Sequence, residues 1–156
     1  MVEDRPNQSS RDLDSSSPLP NGLNLSLGRD RRVTRSAHFK ETFAQQKKYV
    51  GRSMVLWLRS GEEADLRIGI ITSKKVSLRA NKRNRARRVL RESFRHTRPY
   101  LQGEVDLILV ARKSILNRSY SSIRAELISL CTQAGLLTPS TEETLLKKLA
   151  MGDHDA

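Results

Sequence analysis

The sequence predicts a mixed α/β sandwich, with a central sheet covered by helices in the order helix, strand, strand, helix, strand, helix. Three observations predict it. Arg52 to Arg59 and Leu66 to Ser73 carry apolar or β-branched residues on both alternating faces, Val105 to Ala111 is almost wholly apolar, and Ala80 to Arg98 repeats its apolar residues at helical spacing. Short strands alternating with longer helical stretches favour a mixed sheet over a helix bundle or an all-β barrel.

Ser36 to Gln46 reads as the first helix, with Thr34 or Ser36 as its N-cap and Phe39 and Phe43 on one face. Met54, Leu56 and Leu58 then alternate with Ser53, Val55 and Trp57 along a strand that is apolar on both faces. A turn at Ser60 and Gly61 leads to the second strand, where Gly69 permits close approach by a neighbour. In the basic helix, Ala86, Val89, Leu90, Ser93 and Phe94 share one face, and Pro99 stops it. The apolar run from Val105 to Ala111 fits a central strand. Ser119 or Ser121 caps a helix through Ile123, Leu127 and Leu130 to Ala134, ended by Gly135.

Composition divides the chain into three parts. Residues 1–27 are rich in Ser, Asp, Asn and Pro and read as a disordered tail, 28–137 form the domain, and 138–156 are a C-terminal extension. In that extension Ser140 to Glu143 resembles a capping box before Leu145, Leu146 and Leu149, which suggests a short helix of low stability, removable without much effect. The longest apolar runs are far below the roughly 20 residues of a membrane-spanning helix, and Met1 to Asp14 carries no apolar signal region. The expectation is a cytoplasmic protein without a membrane partner. Cys131, the single cysteine, excludes an internal disulfide and reads as a small core residue.

The formal net charge of +12 points to a polyanionic partner. Between Lys74 and Arg98 the only acid is Glu92, whereas a solubilising face intersperses both signs. Arg83, Arg87, Arg91, Arg95 and Arg98 follow one another at i, i+4 or i+3 and repel in an isolated helix, so something outside the helix should compensate them. Phosphates do so well, because each guanidinium can fork two N–H donors onto their oxygens. Phe39, Phe43 and Trp57 could be core, or could floor an apolar cleft in which unpaired bases stack while cations meet their phosphates.

Catalytic chemistry is absent from the pattern. His38, His96 and His154 have no metal-ligand spacing, and neither a phosphate-cradling glycine loop nor a nucleophile elbow occurs. Glu104 and Asp106 share a face if a strand begins there, but two such carboxylates are more often solvated than metal-bound. The expectation is a protein with no catalytic residue and no metal site of its own.

Four segments in order, RVTRSAHFKETF, RIGIITSKK, RANKRNRARRVLRESFR and GEVDLILVAR, make residues Arg32 to about Leu137 resemble the protein subunit of bacterial ribonuclease P. The signature is the Arg83-Asn84-Arg85 triplet with Arg87, Arg88, Arg91 and Arg95 after it and Lys74-Lys75 before it. The resemblance implies a left-handed β-α-β crossover, against the usual hand of such units. It also implies that Arg79, Lys82, Arg83, Asn84, Arg85, Arg87, Arg88, Arg91 and Arg95 contact the ribonuclease P RNA. Phe39, Phe43, Trp57, Lys74 and Lys75 would hold the single-stranded 5′ leader of precursor tRNA, and catalysis would use Mg2+ held mainly by the RNA. Ile71 departs from the family pattern at a sheet position that is often small or polar. Two other readings fit the charge: a structural RNA-binding protein of ribosomal type, and a DNA-binding module, for which only Asn81 and Asn84 offer base readout.

Overall fold

In a computed structural model, residues 28–151 are described. The expected tail, 1–27, lies outside these residues. The elements run α1 (Ser36–Gln45), β1 (Lys47–Val50), β2 (Met54–Ser60), β3 (Ile68–Ile71), α2 (Ala80–Thr97), β4 (Val105–Ala111), α3 (Tyr120–Gln133) and α4 (Pro139–Ala150). The four strands form one mixed sheet in the order β1-β2-β4-β3, so the apolar run of β4 is central as its sequence requires. β1 and β2 pair antiparallel, as do β2 and β4, whereas β3 and β4 run parallel with α2 between them.

The sheet has two unlike faces. On one, Met54, Leu56, Leu58, Ile68, Leu107, Leu109 and Ala111 join Ala86, Leu90 and Phe94 of α2 and Ile123, Leu127 and Ile128 of α3 in a single apolar core. Cys131 lies within it, and burial pushes its thiol pKa up to about 12. On the other, strand register sets three rows across the strands. Arg59 lies opposite Asp106; Lys48, Trp57, Ile108 and Gly69 form the middle row; and Val50, Val55, Val110 and Ile71 form the last. Helix α1 crosses this second face.

Local chemistry differs from the sequence expectation at three places and agrees at one. β1, KKYV, had no alternating apolar signal; it is an edge strand held by pairing to β2, with only Tyr49 turned toward the core. α1 begins after Arg35, and neither Thr34 nor Ser36 caps it. Ser119 caps α3 as expected, its hydroxyl accepting from the Ser122 N–H. α4 is capped by Thr138 with Pro139 at its first position, two residues ahead of the expected Ser140 box.

The largest correction concerns the extension. α4 is a three-turn helix whose Leu145 and Leu149 are buried in the main core beside Leu136 and Leu137, so it braces α3. Low intrinsic helicity did not reveal this, because tertiary burial supplies most of the stability of a short helix. Leu145→Ala should therefore lower unfolding free energy by about 2–4 kcal/mol in urea titration, and ending the chain at Leu137 should lower the melting temperature rather than leave it unchanged.

Candidate nucleic-acid interface

α2 forms because its apolar residues recur on one face; Ala86, Leu90, Ser93 and Phe94 are buried against the sheet and α3. That packing turns a basic face outward. Arg79, Lys82, Asn84, Arg85 and Arg88 are exposed, and no acid occurs in the first turn. The N-terminus of α2 carries no side-chain cap, so cations sit at the positive end of the helix dipole, an arrangement that costs stability unless an anion is bound.

The remaining arginines of the stripe are partly committed. Arg83 donates to the Ser77 carbonyl at 2.9 Å, and Arg87 to Asn84 Oδ1 at 3.0 Å and Thr72 Oγ1 at 2.7 Å. Arg95 is forked onto both oxygens of Glu92 at 2.7 and 2.8 Å, a pairing that raises the guanidinium pKa and lowers that of the carboxyl. Arg98 turns inward to the Leu66 carbonyl at 2.9 Å, and burial lowers its pKa. The cations least committed within the protein are therefore those of the first three turns of α2, where Arg83 and Arg87 donate only to neutral acceptors. The C-terminal two are structural ties.

On the opposite sheet face the three aromatics come together under α1. Phe43 meets Trp57 edge to face, with ring centroids 4.9 Å apart at 79°, and Lys48 Nζ stands 5.4 Å from the indole centroid. Phe39 lies over Gly69, where an added Cβ would come within 2.9 Å of its ring. α1 leaves the last row of the sheet open: Val55, Val110 and Ile71 are half-buried and Val50 is 58% exposed. Lys74 and Lys75 are exposed in the turn that follows β3.

At the β3 edge a groove of about 240 Å3 joins the two surfaces, lined by Arg32, Thr34, Phe39, Ile70, Arg87 and Arg91 among others. No acid lines it. Sequence reasoning missed Lys48, Arg32 and Thr34. Lys48 belongs to the strand without an apolar pattern, and Arg32 reaches the groove because residue 32 bridges Ile68 at the sheet edge.

The paired carboxylates considered in the sequence separate. Glu104 is exposed outside the strand, whereas Asp106 is fully buried and both of its oxygens are occupied. Arg67 donates from Nε at 3.0 Å and from Nη2 at 2.7 Å, Arg59 from Nη1 at 2.8 Å, and the Asp65 N–H at 3.2 Å. A divalent ion would have to displace these donors. Burial alone would raise the Asp106 pKa, but the Arg67, Asp65 and Arg59 hydrogen bonds hold it below the ordinary 3.8. A depressed carboxyl pKa contributes stability that is complete above the unfolded-state value and is lost as pH falls through the folded one. The melting-temperature gap between the parent chain and Asp106→Asn should thus be full at neutral pH and shrink below about pH 4.

A sheet face of clustered aromatics beside cations, continuous at one edge with a helix of exposed arginines, fits the chemistry of a small nucleic-acid-binding α/β protein. Comparison with known proteins narrows this. The family model for Ribonuclease P matches residues 27–135. A Ribonuclease P protein component from Oceanobacillus iheyensis is 30% identical over 117 residues, 74% of this chain and 96% of the relative. One from Xanthomonas campestris pv. campestris is 36% identical over 109 residues, 70% of this chain and 72% of the relative. The solved Staphylococcus aureus RNase P protein aligns with a TM-score of 0.61 at 25% identity, covering 69% of this chain and 98% of its own. The Thermotoga maritima RNase P protein shares the fold, with a TM-score of 0.59 at 23% identity over 65% of this chain and 96% of its own. The chain belongs to the ribonuclease P protein family. α4 lies beyond the matched residues.

Proposed function

We propose that this chain is the RNA-binding subunit of a cytoplasmic ribonuclease P ribonucleoprotein that removes the 5′ leader from precursor tRNA. The observation that carries the reading is the division of its two surfaces. The exposed cations Arg79, Lys82, Arg85 and Arg88, with Asn84 and the half-buried Arg83, Arg87 and Arg91, suit the phosphates of the catalytic RNA. Arg95 belongs to that set only if RNA competes with Glu92 for it. The cleft of Phe39, Phe43 and Trp57, with Lys48, Lys74 and Lys75, suits an unpaired strand whose bases stack.

In this mechanism the protein binds and orients and does no bond chemistry. Mg2+ held mainly by the RNA supplies the hydrolytic chemistry. A basic subunit lowers repulsion between two polyanions and grips the leader, which is present in substrate and absent from product, so it favours substrate. The deciding assay reconstitutes the chain with a ribonuclease P RNA and titrates magnesium, scoring leader release. The expected outcome is cleavage at lower magnesium with both components than with RNA alone, and none by RNA-free protein. Cleavage by the protein alone would refute the proposal.

Two further outcomes separate the surfaces. Alanine at Arg83, Arg85, Arg88 or Arg91 should weaken binding to the catalytic RNA and flatten the log–log salt dependence by somewhat less than one unit each. Trp57→Ala should cost about 1–3 kcal/mol of affinity for leader-bearing precursor, with mature tRNA unaffected. Equal losses for both RNAs would return Trp57 to a packing role.

A further inference from the structure

α1 is short, and little of it is buried: among its ten residues only His38 and Thr42 are, and Phe43 remains 36% exposed. Apolar burial of this extent does not hold a ten-residue helix in one place. Polar contacts supply the rest. Arg59, 1% exposed, reaches from the buried carboxylate of Asp106 to α1, where its Nε donates to Glu41 Oε1 at 2.7 Å. Arg67, held on Asp106 through two nitrogens, places Nη2 3.1 Å from His38 Nδ1. His38 and Glu41 stand one turn apart on the same side of α1. Two guanidiniums thus tie one carboxylate to two positions on the helix, and a third tie pairs Gln45 with both backbone groups of Ser60 at 2.8 Å.

We propose that Asp106 is a positioning residue for the cleft: through Arg59 and Arg67 it sets the seat of α1 over the sheet, and with it the placement of Phe39 over Gly69 and of Phe43 against Trp57. The proposal rests on the reading of this cleft as the leader site. Without the carboxylate, Arg59 and Arg67 become two like charges with no anion between them. Each then draws away from the other, and the anchors of α1 move with them. The aromatic edge contact at Trp57, one row further along β2, is the first feature to change.

Trp57 is the single tryptophan of the chain, so its fluorescence reports the seat of α1 directly. The test compares the parent chain, Asp106→Asn, Glu41→Gln and Trp57→Ala in the reconstituted holoenzyme. Glu41 is half-exposed, and its substitution cuts only the α1 end of the clamp, which keeps the test available if Asp106→Asn folds poorly. In the free protein, acrylamide quenching of Trp57 should rise in both Asp106→Asn and Glu41→Gln. In the holoenzyme the ratio of affinities for leader-bearing over leaderless RNA should fall by about fivefold or more for Asp106→Asn, and less for Glu41→Gln. Binding to the catalytic RNA and the cleavage rate at saturating substrate should hold. Unchanged quenching, or an unchanged affinity ratio in a chain where Trp57→Ala does lower it, would overturn the positioning role and leave the leader site standing. A uniform loss across all RNAs in Glu41→Gln would reduce the clamp to a structural one. If Trp57→Ala itself left the ratio unchanged, the leader-site reading would fall, and the proposal with it.

Discussion

A carboxylate removed from water survives as an anion only where other groups replace its hydration, and Asp106 sits at the start of the most buried strand of the sheet. Arg59 on the neighbouring strand and Arg67 just before β3 are drawn to it from either side. The consequence is mechanical as well as electrostatic. β4 joins β2 and β3, its alternate residues Leu107 and Leu109 face the main core, and Asp106 anchors α1 on the other face. The core fixes α2 and α3 by shape. The buried ion cluster fixes α1 by direction, since guanidinium and carboxylate meet only along a few lines.

This division of labour explains how an apolar cleft can stay open. Had α1 been held by a full hydrophobic face, Phe39, Phe43 and Trp57 would have been covered. Because polar ties at His38, Glu41 and Gln45 hold one side of the helix, its aromatics can overhang the sheet, and the row from Val50 to Ile71 remains accessible. The opposite sheet face obeys the ordinary rule. It is buried continuously by α2 and α3, and α4 extends that burial outward.

The acids of the domain are spent in the same economical way. Glu41 and Asp106 compensate Arg59 and Arg67, Glu92 compensates Arg95, and Glu126 holds Arg118 and the β2 entry through the Ser53 N–H. Among the described residues, the first three turns of α2 and the groove beside them hold no acid. A count of arginines therefore overstates the number free to bind, since Arg59, Arg67, Arg95 and Arg118 are each held by an acid.

Helices α1, α2 and α3 and strands β2, β3 and β4 were legible in the sequence, because each buries a face and so leaves its period in the order of apolar residues. The arginine face of α2 was legible for the same reason: Ala86, Leu90 and Phe94 fix one side, and the charges have only the other. The family resemblance, carried by local motifs, was legible too. β1 was not, since an edge strand held by backbone pairing needs no apolar alternation, and Lys48 was lost with it. The docking of Leu145 and Leu149 was not, since short helices take their stability from partners the local sequence does not name. Nor was the fate of Asp106: its guanidinium partners lie 47 and 39 residues away along the chain, and charge pairing over such separations has no period to read. Sequence alone determined which faces must be buried. Only the tertiary structure decided which charges are spent on one another and which are left for a partner, because that depends on distances that exist only after the strands have paired.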